Sequence, residues 1–167
     1  EMLRSLVGSE MCIRDSAHEH RQLSNLIHYY ARNNLHGKTL HLNGPTGELN
    51  TLRFAARGAV LCVAESTMTL LNQLAAVYAT GNQAVLLHTT AKHLPSDFPA
   101  SLLTKTRIVE QQQDCRELTL AMCEHTQLTS SLLTALAARD GAIVPVVMSN
   151  VDAVSYTHLR AHETPEH

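Results

Sequence analysis

Histidine and cysteine are the side chains of this sequence that could most readily bind a metal ion, with 11 and four copies respectively. His18 and His20 lie two residues apart, so on a helix their side chains point in different directions. Cys115, Cys123 and His125 form a mixed cluster that lacks the short cysteine spacing of structural zinc sites. We therefore predict no metal site, free or partly buried thiols, and a surface position for His125.

Nucleophilic catalysis has no recognisable sequence pattern here. A Gly-x-Ser-x-Gly nucleophile elbow is absent, so Ser66, Ser130 and Ser131 are interpreted as helix caps or surface residues. Cys62 stands in the middle of an apolar run, which favours burial as a small hydrophobic residue over reactivity.

The glycine-rich segment 44–47 and the glutamates also fail to indicate a site. This segment is too short for a phosphate loop, lacks its Lys-Ser/Thr pair, and precedes a predicted strand, so we predict a structural turn. Glu48 and Glu65 have no second carboxylate at a spacing typical of an acid–base pair. Taken residue by residue, the sequence predicts no active site.

The predicted elements that would position these residues alternate between helices and strands. Residues 40–50 are assigned to a connection with turn signals, and Gly37 and Gly81 end helices. The alternation of helices and strands along the chain predicts an α/β fold with a parallel sheet. Pro145 indicates an edge strand or the end of a strand. Helices are predicted at 17–36, 66–78 and 128–138, strands at 51–55, 59–64, 84–87, 107–109 and 142–147, and either type at 118–123.

Composition sets the broad class. With 167 residues, 44% hydrophobic and 17% charged, the chain is predicted to form about one globular domain. No apolar run approaches the about 20 residues of a membrane span, and a net charge of −2 gives no basic face for nucleic acid. Four cysteines without paired spacing, and no secretory leader, favour a reducing, cytoplasmic compartment.

The two ends look foreign to the rest. Residues 1–16 and 154–167 resemble translated sequencing-adapter read-through, as found at the ends of assembled gene fragments. We expect both to be artefactual and to lie outside the fold. The alternative is an ordinary disordered tail, and neither interpretation gives these residues a function.

Four blocks of sequence resemble one known family. They are residues 44–52 (GPTGELNTL), 57–64 (RGAVLCVA), 74–82 (LAAVYATGN) and 137–146 (AARDGAIVPV). All four look like the C-terminal domain of proline utilization A, whereas residues 88–126 match it poorly. The structural motif positions of this resemblance are Gly44, Pro45, Thr46, Gly47, Glu48, Asn50, Gly81 and Asn82.

This resemblance implies a bifunctional parent that oxidises proline to glutamate. An FAD-dependent proline dehydrogenase barrel makes the intermediate, and an NAD-dependent aldehyde dehydrogenase module oxidises the resulting semialdehyde. The C-terminal domain is then a degenerate Rossmann-like copy of the aldehyde dehydrogenase nucleotide-binding fold, truncated here. It packs on the catalytic module of the same chain and covers the channelling tunnel. The parent is expected to be cytoplasmic and able to dock at the inner membrane.

We assign residues 17–42 to a linking helix and residues 43–153 to the truncated lid domain that the resemblance implies. Where intact aldehyde dehydrogenases carry Pro-Trp-Asn after the strand matching 60–63, this chain has Ala64, Glu65 and Ser66. Where they carry Lys-Pro-Ser-Glu after the next strand, it begins with His88. We therefore expect no catalytic, metal-binding or cofactor-binding residues here, with FAD and NAD bound elsewhere in the parent. Two alternatives are an NAD-binding fragment of an ordinary aldehyde dehydrogenase and a free-standing non-catalytic interaction domain.

Overall fold

The structure is a computed structural model that describes residues 17–111 and 116–149, with the backbone alone for residues 17–20. The predicted foreign ends and Cys115 lie outside the described residues. The helices are α1 Ala17–Asn33, α2 Thr67–Ala79, α3 His88–Ala91, α4 Ala100–Leu103 and α5 Ser130–Ala137, with a 3-10 turn at His125–Gln127. The strands are β1 Thr39–Leu42, β2 Asn50–Arg53, β3 Ala59–Val63, β4 Gln83–Leu87, β5 Thr106–Val109, β6 Leu118–Cys123 and β7 Val146–Met148.

Five of these strands form one parallel sheet in the order β5-β4-β3-β6-β7. Along the chain, β4 and β5 come next after β3 and lie on one side of it, and β6 and β7 follow and lie on its other side. The prediction of an α/β fold with a parallel sheet is confirmed. The segment 118–123, for which periodicity left helix and strand open, is a strand because it pairs with β3 along its length.

The core lies on both faces of this sheet. Every residue of β3 is buried, which explains its unbroken apolar run, since helices cover a parallel sheet on both sides. On one face α2 contributes Leu70 and Leu74, and α1 packs on α2 through Leu23. On the other face α5 contributes Leu132.

Helix α2 begins and ends where its capping residues predict. The Ser66 Oγ accepts a hydrogen bond from the Thr69 N–H at 3.1 Å, the arrangement of an N-cap. After Thr80, Gly81 adopts a φ of 75°, which an L side chain rarely adopts. The return into β4 is therefore tight, and it places β4 next to β3.

Two boundary predictions were wrong. Residues 40–50 were assigned to a connection, but β1 pairs with β2 as an antiparallel hairpin, with Leu40 opposite Leu52. Strand β1 has only four residues, all exposed, so no buried face marks it in the sequence. The strand predicted at 142–147 begins only at Val146, because Pro145 contributes just a carbonyl, which accepts from the Ala121 N–H at 2.9 Å.

Smaller differences concern helix ends. Helix α1 stops at Asn33 and not at residue 36, and α5 begins after an N-cap at Thr129. The proline-containing stretch between β4 and β5 holds the short helices α3 and α4. None of these changes alters the sheet order.

Candidate functional site

The crevice at the carboxyl ends of β3 and β6 is the candidate site. These strands are neighbours, but their chain connections leave in opposite directions, which makes this the topological switch point of the sheet. In open α/β sheets ligands bind at such a point, outside the carboxyl ends of the strands. Here the crevice is bordered by the turn of residues 64–66, the first turn of α2, and the 3-10 turn after β6.

Two glutamates hold the borders of the crevice together. The Glu124 carboxylate accepts a hydrogen bond from the Glu65 N–H at 2.7 Å and one from the Thr69 hydroxyl at 3.2 Å. In return, the Glu65 carboxylate accepts from the Thr126 hydroxyl at 3.2 Å and from the Gln127 side-chain amide. We call these five residues the glutamate clasp. It joins the β3–α2 turn to the segment after β6.

A buried glutamine crosses the crevice beneath the clasp. The Gln73 Nε2 donates to the Val63 carbonyl at 3.1 Å and to the Ser149 hydroxyl at 2.7 Å. The Ser149 N–H donates to the Cys123 carbonyl at 2.8 Å, so α2, β3, β6 and the end of β7 are linked. The Gln73 Oε1 is buried and has no hydrogen-bond partner within the described part of the chain.

The side chains of the clasp determine what the crevice can bind. Its two charged groups, Glu65 and Glu124, are carboxylates, which accept hydrogen bonds when ionised. A nucleotide diphosphate needs the opposite: N–H donors and positive charge at the helix N-terminus. Two of the donors at this end of α2, the Glu65 N–H and the Thr69 hydroxyl, already point at Glu124.

The two cysteines that the structure describes are unsuited to nucleophilic chemistry. Burial raises the pKa of Cys62 to about 12, and burial together with the charge of Glu124 raises the pKa of Cys123 to about 11. Their side chains belong to the cores on opposite faces of the sheet. The prediction that Cys62 is buried is confirmed, and Cys123 is fully buried as well. His125 is exposed, as predicted.

The hairpin motif residues lie in and beside the loop that joins β1 to β2. The Glu48 N–H donates to the Pro45 carbonyl at 3.1 Å, and the Asn50 side-chain amide donates to the Glu48 carboxylate at 3.4 Å. A Cβ on Gly44 would meet the end of the Asn50 side chain, which would have to move. Gly47 has a φ of 95°, and Thr46, like its neighbours, is exposed. The structure thus places these residues outside the crevice.

The remaining two motif residues connect α2 to β4. The Asn82 Oδ1 accepts from the Arg57 N–H at 2.7 Å and from the Gly58 N–H at 2.9 Å. The Asn82 Nδ2 donates to the Thr80 hydroxyl at 2.8 Å. A Cβ on Gly81 would lie 2.9 Å from the His36 Nε2. These contacts join the entrances of β3 and β4 at the end of the sheet opposite the crevice.

The position after β4 carries a histidine that lies beside a carboxylate, where aldehyde dehydrogenases are expected to carry Lys-Pro-Ser-Glu. The His88 Nε2 lies 3.5 Å from the Glu110 Oε1, and both side chains are exposed. The strands β4 and β5 end one residue before His88 and Glu110, respectively.

Sequence reasoning missed Glu124. The signal was present, because a glutamate directly follows a possible strand, but the strand had first to be identified and placed beside β3. Among the side chains that the structure describes, those of residues 21–111 and 116–149, no group of three or more His, Cys, Asp or Glu could hold a metal ion. In the same ranges no helix is both long and apolar enough to cross a membrane.

Relatives with known names cover most of the chain. Bifunctional protein PutA of Escherichia coli is 33% identical over 138 residues, or 80% of this chain, and that of Klebsiella aerogenes is 34% identical over 128 residues, or 75%. The chain carries a PutA-derived domain. The PutA of Salmonella typhimurium is 37% identical over 109 residues, 63% of the chain. This PutA-derived domain spans about a tenth of the length of the first two relatives, and no protein-family model matches it.

The fold of the PutA-derived domain is similar to part of an aldehyde dehydrogenase. A crystal structure of an NAD-dependent benzaldehyde dehydrogenase from Corynebacterium glutamicum superposes with a TM-score of 0.54 at 17% identity. The matched region makes up 78% of this chain and 33% of the benzaldehyde dehydrogenase chain. At this identity the likeness shows the fold alone, so the expected Rossmann-like class is confirmed.

Proposed function

We propose that this PutA-derived domain is a non-catalytic C-terminal domain of a bifunctional parent that oxidises proline to glutamate. In that parent an FAD-dependent proline dehydrogenase and an NAD-dependent glutamate-semialdehyde dehydrogenase do the chemistry, and this domain covers the tunnel between their sites. The relationship to PutA supports the parent activity. The composition of the crevice supports the non-catalytic role.

The observation that carries the covering role is an unpaired apolar face on the hairpin. Cross-strand partners project to the same side, so Leu40, Leu42 and Leu52 share one face and are 43%, 51% and 42% exposed. In the loop, Leu49 is 80% exposed. A two-stranded hairpin is marginally stable in water on its own, and a second surface against this face would stabilise it. We propose that residues 44–52 and the adjoining face pack on the catalytic aldehyde dehydrogenase module of the same chain.

Under this proposal residues 43–153 belong to the covering domain and residues 17–42 link it to the preceding module. The buried contacts of Leu23 and Ile27 in α1 with the core of the domain support a firm attachment of that link.

The covering role predicts a specific kinetic defect in the parent. Replacing Leu40 and Leu52 by serine should open the tunnel and produce a lag in NADH formation when proline is the substrate. The rate of NADH formation from added glutamate semialdehyde should not change, because the catalytic residues are intact. A matched control replaces Thr39 and Thr51 by serine on the opposite face of the hairpin. Equal time courses for both double variants would contradict the proposal.

The alternative is a fragment of an ordinary aldehyde dehydrogenase that binds NAD, which the fold of the benzaldehyde dehydrogenase favours. Calorimetric titration of the chain with NAD distinguishes the two. We expect no saturable heat, since the crevice presents carboxylates where the diphosphate needs donors. Micromolar binding would support the alternative.

A further inference from the structure

We propose that the Glu124 carboxylate is a built-in anion that closes the switch-point crevice. It takes up two hydrogen-bond donors beside the start of α2, the Glu65 N–H before the N-cap and the Thr69 hydroxyl, that would otherwise be open to the phosphate of a ligand. The native chain then has no anion site here, and removal of this one side chain would create one. This inference deepens the proposed non-catalytic role and rests on it.

The Glu124 carboxylate bridges the residue before the N-cap of α2 and a side chain in the first turn of that helix. The carboxylate accepts from the backbone N–H of Glu65 at 2.7 Å and, through its second oxygen, from the hydroxyl of Thr69 at 3.2 Å. The partial positive charge at the start of a helix favours a negative group in this position. The Ser66 N-cap is bonded separately to the Thr69 N–H, so α2 retains its own cap without Glu124.

The backbone brings Glu124 to this place without a flexible segment. Its N–H donates to the Val63 carbonyl at 2.9 Å, which continues the pairing of β6 with β3 by one residue. The side chain therefore starts from a fixed position beside the β3–α2 turn. A glutamate held in this way acts at very high effective concentration, and a free anion could hardly displace it.

Glu65 adds a second barrier. Its carboxylate is held across the crevice by the Thr126 hydroxyl, so a free anion would also meet this negative charge. Replacement of Glu65 by glutamine keeps an acceptor for Thr126 and removes the charge. The two glutamates thus have separable effects: Glu124 occupies the donors, and Glu65 repels a second anion.

Inorganic pyrophosphate is the probe for this inference, titrated calorimetrically into the full chain at low ionic strength. We expect no saturable binding by the wild-type chain. The variant E124A should bind pyrophosphate saturably, at least about tenfold more tightly than any residual binding by E117A, a control that removes an equal charge from an exposed position outside the clasp. The double variant E65Q/E124A should bind more tightly still. The variant E124Q, which keeps one acceptor oxygen and loses the charge, should bind pyrophosphate more weakly than E124A.

The outcomes separate this inference from the proposed function. If E124A and E65Q/E124A retain the wild-type circular dichroism spectrum and bind pyrophosphate no better than E117A, the inference is overturned and the proposed function stands. If the wild-type chain already binds pyrophosphate as tightly as E124A, Glu124 does not close the crevice. If the wild-type chain binds NAD, both proposals are contradicted.

Discussion

Replacing Asn82 by alanine should measurably destabilise the domain, although this residue contacts neither the crevice nor the apolar face of the hairpin. Its Oδ1 accepts from two consecutive backbone N–H groups, of Arg57 at 2.7 Å and of Gly58 at 2.9 Å. One side chain thus satisfies two donors at the turn that leads into β3. The substitution removes both bonds at once.

The magnitude follows from the exposure of the two donors. A typical intramolecular hydrogen bond contributes about 0.5–1.5 kcal/mol net to stability. Removing the acceptor lowers stability further when the donor that remains is buried, because water cannot reach it. Arg57 and Gly58 are exposed, so water can replace the lost acceptor. We therefore expect N82A to lower the free energy of unfolding by about 1–2 kcal/mol, in the lower part of the range for two bonds.

Urea unfolding followed by circular dichroism would measure this change. With a slope typical of small proteins, the midpoint of N82A should fall by about 0.5–1 M. The variant N82D keeps both acceptor bonds and loses only the amide that donates to Thr80, so it should lose less than N82A. The control N25A changes an exposed asparagine on α1 and should stay within about 0.5 kcal/mol of wild type. A larger loss in N82D than in N82A would refute the reasoning.

Three further predictions test the core, the turn and the thiols. L74A should lower the free energy of unfolding by about 2–5 kcal/mol in the same urea assay, because Leu74 is fully buried between α2 and the sheet. A loss below about 1 kcal/mol, close to that of an ordinary surface substitution, would contradict the packing. G81A should cost about 1 kcal/mol or more, since the φ of 75° disfavours a side chain and its Cβ would crowd His36; a gain in stability would count against this conformation. Burial raises the pKa values of the Cys62 and Cys123 thiols to about 12 and about 11 in the folded state, above the 9.0 of the unfolded state. The contribution of these two thiols to stability should therefore be complete below pH 9.0 and fall as the pH rises towards the folded values. Urea midpoints measured across that range should fall less steeply in the double variant C62A/C123A.

The parts of the fold that could be predicted from sequence are those in which a local pattern and the tertiary structure agree. The buried run of β3 is apolar because both of its faces are covered, and α2 has both a capping serine and a terminal glycine. Strand β1 could not be predicted, because its four residues are exposed and form a strand only through pairing with β2 across a loop. Residues 142–145 look like the rest of a strand, but Pro145 has no N–H to donate to a neighbour.

The candidate site was harder to predict than the fold for a physical reason. Glu65 and Glu124 lie 59 residues apart in sequence and meet only because β6 returns to the side of β3 opposite β4. No spacing rule reports such a contact, since it depends on strand order. Once β3 and β6 are known to be neighbours, the residues that follow them must meet at one edge, and a glutamate there becomes a candidate.

The residues that maintain the fold are separate from those that determine the chemistry of the crevice. The sheet depends on buried residues such as Leu61 and on the turn held by Asn82, at the end of the strands opposite the crevice. The clasp residues Glu65 and Glu124 can therefore change without loss of the core. Because the clasp itself forms hydrogen bonds across the switch point, we expect it to link the two halves of the sheet. If so, E124A should lose stability in the urea assay and recover part of it when pyrophosphate is added, whereas E117A should show neither effect.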